Sequence, residues 1–198
     1  QAAITRELVE IVSGAAALIK QNHPGFSPDQ VKSVLVNTAS QDVLHDESGT
    51  TTVGVQWLGA GKLDAGAAVT ATVTSSPATI SFGVLDTGPW PTSRPVKIAN
   101  LGTSSVTLTL AIVPANQSIG ATMTLDKQTL SLAPNATDTV TVTLAGILPS
   151  PGSYTGVVTL QAPGVSLRVP YMYLVGSGVA WNIIPLTGGG FDGTVGQG

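Results

Sequence analysis

Two histidines, His23 and His45, are the candidates for the base of a nucleophilic triad in this sequence. Such a triad needs a nucleophile, a base within hydrogen-bonding reach, and a third group that orients the base. His23 lies in an Asn-His-Pro-Gly turn at residues 22–25, where we expect an exposed structural role because proline and glycine stop a helix there. The chain has no cysteine, so a thiol nucleophile and a thiolate metal site are excluded.

Two further motifs resemble ligand sites but lack the necessary context. His45 lies in the acidic run Asp-Val-Leu-His-Asp-Glu at 42–47, and alternating oxygen ligands suit calcium. This run is too short for a calcium loop and lacks its full spacing, so we expect a solvated loop. Three glycines at 188–190 are followed by no lysine and lie in no strand–loop–helix context, which favours a linker over a phosphate site. The sequence therefore predicts no metal and no cofactor.

Four aromatic residues need positions in the fold. Trp90, between two prolines at the beginning of a strand, suits a clamp over the sheet edge better than an exposed ligand-binding aromatic. Trp57, next to Leu58, is expected to pack near residues 59–69. Tyr171 and Tyr173 are two residues apart, so we expect them on one face of the last strand, in core or edge packing.

The composition excludes several classes of function. Hydrophobic residues make up 42% of the chain and charged residues only 10%. This composition is common in extracellular β-rich modules. The net charge of −3 provides no basic field for phosphates, so we expect no nucleic-acid partner. No apolar run approaches the ~20 residues of a membrane-spanning helix. The chain begins with Gln1 and shows no signal peptide, so we interpret it as part of a longer protein.

Residues 5–21 have the period of a helix. Its apolar residues recur at three- and four-residue intervals and share one face. The stretch 13–17 is small on every side, which predicts a central helix that other backbone approaches closely. The apolar residues are Leu8, Ile11, Val12, Ala15, Leu18 and Ile19.

Two shorter helices are predicted downstream. Ser27 is the expected N-cap of the first, with proline at the first helical position and Gln30 completing a capping box. Its predicted buried stripe consists of Val31, Val34 and Leu35. Residues 40–56 are polar and irregular, which predicts a loop. Asp64 is the expected N-cap of a third helix over 65–71.

From residue 79 the period changes to two, as in strands with one buried and one wet face. Eight short strands punctuated by turn signals within about 100 residues predict an immunoglobulin-like or fibronectin III-like sandwich over 77–176. The boundary is expected near 73–77, and 177–198, with an apolar stretch at 179–186, is interpreted as a linker or the start of a further module. The predicted strands are 79–82, 94–100, 105–112, 121–125, 129–132, 138–144, 154–160 and 165–174.

The helical part resembles a known family. The sequence Val-Ser-Gly-Ala-Ala-Ala-Leu-Ile-Lys at 12–20, with His-Pro at 23–24 and Ser-Pro-Asp-Gln-Val-Lys-Ser at 27–33, resembles the segment after the catalytic serine of subtilisin-like serine proteases, the subtilases or peptidase S8 family. Residues 59–69, Gly-Ala-Gly-Lys-Leu-Asp-Ala-Gly-Ala-Ala-Val, are similar to that family's closing motif. The resemblance implies an α + β chain in two parts. Residues 1–72 would be the helical remnant of an incomplete α/β catalytic domain, followed by the all-β sandwich.

No catalytic residue carries over from this resemblance. Aligned on residues 12–14, Thr5 matches the family, but Arg6 occupies the position of the nucleophilic serine. Glu10 and Ile11 replace the proline and histidine that normally follow. The resemblance places the catalytic Asp and His and the oxyanion Asn upstream, outside this chain.

These observations favour the C-terminal fragment of a secreted serine endopeptidase that is inactive by itself. In that role the sandwich would serve as spacer, stabiliser or exosite. A non-enzymatic extracellular binding or adhesion module and a catalytically dead homologue, in which Arg6 is native, are the alternatives. The expected partner is the rest of the parent chain, and a homodimer through the N-terminal helix is the other way to cover its apolar face.

Overall fold

The computed structural model describes residues 2–40, 54–85, 90–116 and 118–176, with side chains from Arg6 onward. It has an α + β fold in two parts, in which helices precede a two-layered sandwich. The helices are α1 Ala2–Asn22, α2 Pro28–Asn37, α3 Val55–Leu58 and α4 Ala65–Thr70. The strands are β1 Val73–Ser76, β2 Ile80–Leu85, β3 Thr92–Asn100, β4 Val106–Pro114, β5 Ala121–Leu125, β6 Thr129–Leu132, β7 Thr137–Gly146, β8 Gly152–Ala162 and β9 Val165–Val175.

Helix α2 begins as the sequence predicts. The Ser27 hydroxyl accepts a hydrogen bond from the backbone N–H of Gln30, and the Gln30 side chain accepts one from the Ser27 N–H. This reciprocal capping box satisfies two N–H groups that the first turn leaves without helical partners. Val31 and Val34 are buried in a small core with Ile19. The predicted start and apolar stripe of α2 are confirmed.

Helix α1 is only half covered. Ala15 and Ile19 are buried, because the C-terminal half of α1 packs against α2 and α4. Leu8 and Leu18 remain 58% and 52% exposed, and Ile11 is similarly open. The predicted apolar face therefore exists, but most of it has no cover within the described residues.

Two details of the helical part concern α4, which is the third helix that the sequence predicts, and the segment before it. Asp64 caps α4 as predicted, with its carboxylate accepting from the Ala67 N–H at 2.9 Å. The single turn α3 lies partly in the segment expected to be a loop, 40–56. It is closed by the Gly54 carbonyl, which accepts from the N–H groups of Trp57 and Leu58. A backbone-only turn of this kind has no side-chain cap that the sequence could reveal.

The strands form two sheets that face each other. One sheet has the order β1-β3-β7-β5 and the other β2-β9-β8-β4-β6. All pairs are antiparallel except β2 and β9, which run parallel. Two mostly antiparallel sheets packed face to face form a β-sandwich. The core lies between the sheets, and its largest fully buried members include Ile98, Leu108, Leu144, Leu160 and Leu167.

Strand β1 is absent from the sequence-based prediction. Val73, Thr74 and Ser75 are all buried, because α2 covers one face of β1 and the sandwich core the other. A strand covered on both faces shows no alternation of polar and apolar residues. The sheet therefore begins at Val73 and not after residue 77, and each of the eight predicted strands corresponds to one of β2 to β9.

Candidate functional site

A buried polar cluster joins the last turn of α2 to the sandwich. The side-chain oxygen of Asn37 accepts hydrogen bonds from the hydroxyls of Ser33, at 2.8 Å, and Ser75, at 2.9 Å. Its side-chain nitrogen donates to the carbonyls of Ala78 and Arg168, both at 2.8 Å. Asn37 thus uses both donors and both acceptor positions of its amide. We call this cluster the Asn37 joint.

The Asn37 joint is completed by two further bonds. The Ser33 hydroxyl accepts from the Ser75 N–H at 2.8 Å, and the Arg168 guanidinium donates to the Ala39 carbonyl. Ser33, Asn37 and Ser75 are each at most 2% exposed. Buried polar groups are costly unless they are fully hydrogen-bonded, and these are. The joint therefore fixes one orientation of α2 on the sandwich.

An apolar groove of about 620 Å³ opens on the other side of α2. Lys20 lies at its margin, but its ammonium is held by the carbonyls of Pro24, at 2.6 Å, and Phe26, at 2.8 Å. The interior of the groove is therefore uncharged apart from Lys32. Its apolar lining includes Val12, Phe26, Val31, Leu35, Val36 and Leu63.

The groove is continuous with the uncovered half of α1, since Val12 belongs to both. Leu8, Ile11 and Leu18 extend the same apolar surface along the helix. We call the groove and these exposed side chains the open apolar surface. Monomeric proteins rarely leave a contiguous patch of this kind bare, so such patches mark interaction sites. The open apolar surface is therefore the feature of the helical part that indicates an interaction site.

Arg6 is exposed on α1, on the opposite side of the helix from Leu8 and Val12. Its guanidinium Nε lies 3.0 Å from a carboxylate oxygen of Glu10, in a surface ion pair between side chains that are 83% and 63% exposed. Among the described residues, no group of three or more His, Asp or Glu is placed to hold a metal. His45 and the Gly-Gly-Gly motif at 188–190 lie outside the described residues.

His23 has a structural role, but it is not exposed as expected. Its ring stacks on Phe26 with the ring centroids 4.3 Å apart. Its Nε2 lies 2.7 Å from the Val69 carbonyl, which requires a proton on that nitrogen, and Asn22 donates to the same carbonyl. The turn folds the imidazole onto the end of α4, which half-buries it. His23 therefore ties the end of α1 to α4.

The aromatic residues of the sandwich lie in its core. Tyr171 and Tyr173 are both buried on one face of β9, as predicted. Burial raises the pKa of Tyr171 to about 12, with a smaller effect of the neighbouring Tyr173. Trp90 is half-buried against the core and its indole N–H donates to the Gly146 carbonyl, which is the predicted clamp. Trp57 is 78% exposed, so the prediction that it packs near residues 59–69 is wrong. The single turn α3 holds that side chain outward.

Comparison with known proteins finds a family match in the helical part of the chain. Residues 11–67 match the model of the subtilase family, peptidase S8. This segment is therefore subtilase-related, and the match ends before β1. No curated protein matches the sequence. No helix among the described residues is long and apolar enough to cross a membrane.

Several solved structures share similarity with about half of the chain. A PapD-like domain of human CEP192 is 16% identical over 52% of this chain and 84% of its own, with a TM-score of 0.40. The periplasmic chaperone SfaE is 14% identical over 52% of this chain and 57% of its own, also with a TM-score of 0.40. The secreted serine protease VesC from Vibrio cholerae is 12% identical over 48% of this chain and 21% of its own, with a TM-score of 0.36. With TM-scores this low, these similarities do not bear on the function.

Proposed function

We propose that this chain is the C-terminal part of a secreted subtilisin-like serine endopeptidase. The helical part, residues 1–72, would complete the catalytic domain, and an immunoglobulin-like or fibronectin III-like module would follow it. The observation that carries the proposal is a coincidence of position. The segment that matches the subtilase family, 11–67, also carries the open apolar surface except for Leu8, which lies just before it. If only this segment of a catalytic domain is present, the surfaces that the rest of the domain would cover are exposed to solvent.

The packing of α1 supports this role. A methyl group placed on Gly14 would meet no atom within 4 Å, and Ser13 beside it is exposed. Within the described residues, nothing requires such small side chains at these positions. In the complete domain, small residues would allow neighbouring backbone to approach α1 closely. The open apolar surface and the small residues thus support one burial partner, the rest of the parent chain.

Catalysis would belong to the parent and not to this chain. Arg6 stands where the family has its serine, and a guanidinium that stays protonated is not a nucleophile. The partners of a triad would also lie upstream. This chain would therefore contribute scaffold and positioning, while the sandwich, fixed through the Asn37 joint, would act as a spacer or stabiliser.

A chimera tests the proposal. Residues 12–176 would replace the corresponding C-terminal segment of an active subtilase, which keeps its own nucleophile and the residues before it. We expect a secreted chimera that cleaves a chromogenic peptide. Leu18→Asp in the chimera should abolish activity, because that side chain would be buried there, whereas Gln21→Asp, on an exposed position, should not.

The isolated chain provides the matched control. In it, Leu18 is half exposed, so Leu18→Asp should change the free energy of unfolding by less than about 0.5 kcal/mol. A folded chimera without activity, or equal activity of the Leu18→Asp and Gln21→Asp chimeras, would contradict the assignment of the open apolar surface to the catalytic domain.

A second copy of this chain is the other candidate partner for the open apolar surface. The support for a homodimer is the same exposed face of α1, since a two-fold pairing of helices would cover Leu8 and Leu18 on both copies. Multi-angle light scattering of the wild-type chain and of Leu18→Asp tests this. A dimer that the substitution dissociates supports helix pairing, and a monomer at all concentrations contradicts it.

A further inference from the structure

The sandwich has a second exposed apolar region, at the end far from α2. The Asn37 joint lies where β2 and β9 begin, and β9 then runs away from it to Val175. At the far end, the turns between β4 and β5 and between β7 and β8 approach each other, with the Ile147 N–H donating to the Gly120 carbonyl at 2.9 Å. We call residues 113–116, 118–123 and 145–154 the distal tip.

The distal tip is uncharged and apolar. None of its residues is Asp, Glu, Lys, Arg or His. Ile119 is 88% exposed and Ile147 is 76% exposed, and Leu148 is partly exposed next to them. Beside Ile119 lies a cavity of about 290 Å³. Its lining includes Met123 and Tyr154, and the ring of Tyr154 stacks on that of Tyr173 with their centroids 5.0 Å apart.

The chain leaves the sandwich at this same end. Val175, the last residue of β9, pairs with Gly152 of the distal tip. Residues 176–178, Gly-Ser-Gly, then precede the stretch Val-Ala-Trp-Asn-Ile-Ile-Pro-Leu at 179–186. Three residues span at most about 10 Å. The apolar, uncharged segment 179–186 therefore begins only three residues after the strand that ends at the apolar, uncharged distal tip.

We propose that residues 179–186 dock on the distal tip and cover Ile119 and Ile147. Two observations support this docking. Both residues 179–186 and the distal tip lack charge, and the connection between them is too short for the segment to lie far away. Burial of large apolar side chains is the driving force for such docking. This assigns the first part of 177–198 to the sandwich as a cap, in place of the linker that its glycines suggest. The proposal is independent of the protease assignment.

Disulfide trapping tests the docking, because the sequence has no natural cysteine that could form other disulfides. Ile147→Cys is combined with Ile183→Cys, with Trp181→Cys as a second register, and the full chain is oxidised with copper phenanthroline. The control pairs Ile183→Cys with Leu18→Cys, an exposed position on α1. Docking should give about tenfold more disulfide within the monomer than the control, because it raises the effective concentration of the two thiols.

A second measurement keeps the test independent of the chosen register. The chain truncated after Gly176 should bind the dye ANS more strongly than the full chain, and Ile147→Ser in the truncated chain should remove most of the difference. Cross-linked dimers in place of monomers would overturn the proposal in favour of a second copy. Disulfide yields equal to the control in both registers, or equal dye binding with and without 177–198, would also overturn it.

Discussion

The Asn37 joint predicts a large and specific effect of a single substitution. Asn37→Ala removes four hydrogen bonds of 2.8–2.9 Å from a side chain that is 1% exposed. Each such bond contributes about 1 kcal/mol net, and a buried group left without a partner costs about 1–3 kcal/mol. Relaxation and water entry offset part of this cost. We therefore expect Asn37→Ala to lower the free energy of unfolding by about 3–5 kcal/mol.

The location of the joint predicts more than a loss of stability. Urea denaturation is followed by circular dichroism at 222 nm, which reports mainly on the helices, and by near-ultraviolet dichroism, which reports on packed aromatic side chains of the sandwich. In the wild-type chain the two transitions should coincide, because the joint couples the two parts. In Asn37→Ala the helical signal should be lost first, at lower urea.

Asn100 is a matched control from within the sandwich. It is 2% exposed, the two N–H donors of its amide are shared among three backbone carbonyls, and its oxygen accepts from the Gly102 N–H. Asn100→Ala should therefore destabilise by a similar amount, but with coincident transitions. If Asn37→Ala costs less than about 1 kcal/mol, or if its two transitions coincide as in Asn100→Ala, the idea that the joint couples the two parts is wrong.

Four further outcomes are expected. Val142 is 1% exposed in the core, so Val142→Asp should prevent a cooperative thermal transition of the sandwich. Residues 72–176 should fold alone with a cooperative transition, whereas 77–176 should melt at lower temperature, since it lacks β1 and the buried Val73. The raised pKa of Tyr171 favours its neutral form in the folded state, so stability should fall as the pH rises from about 10 to 12. Urea midpoints across this range should fall less in Tyr171→Phe. Neither the chain nor Arg6→Ser should hydrolyse casein or a chromogenic peptide or react with a fluorophosphonate probe, and stoichiometric labelling of either protein would show a functional site that our interpretation lacks.

The sequence predicted those elements whose signals are local. The capping box at Ser27 and Gln30 lies within four residues, and strand alternation is readable along a single segment, so α2 and the strands β2 to β9 could be predicted. Strand β1 could not, since α2 and the core bury Val73, Thr74 and Ser75 together and erase the alternation. Which surfaces cover a strand is decided by distant parts of the chain.

The candidate site divides in the same way. The apolar face of α1 is visible as a periodic pattern, and it is exposed because the described residues do not include enough elements to cover it. The Asn37 joint was not predicted, because its partners Ala78 and Arg168 are 41 and 131 residues away along the chain. A buried asparagine at the end of a helix looks like an ordinary helix terminus in sequence. The partial burial of His23 was missed for the same reason, since its acceptor, Val69, lies 46 residues away.

The parallel pairing of β2 with β9 has a mechanical consequence. The helical part is anchored where β2 begins, and the chain departs where β9 ends, at the opposite pole of the sandwich. A tension applied between these two points would pull the neighbouring strands past each other along their length. Their hydrogen bonds would then be loaded together in shear, whereas a pull across the strands would open them one by one. Extension along this axis would therefore meet the combined resistance of the hydrogen bonds between β2 and β9.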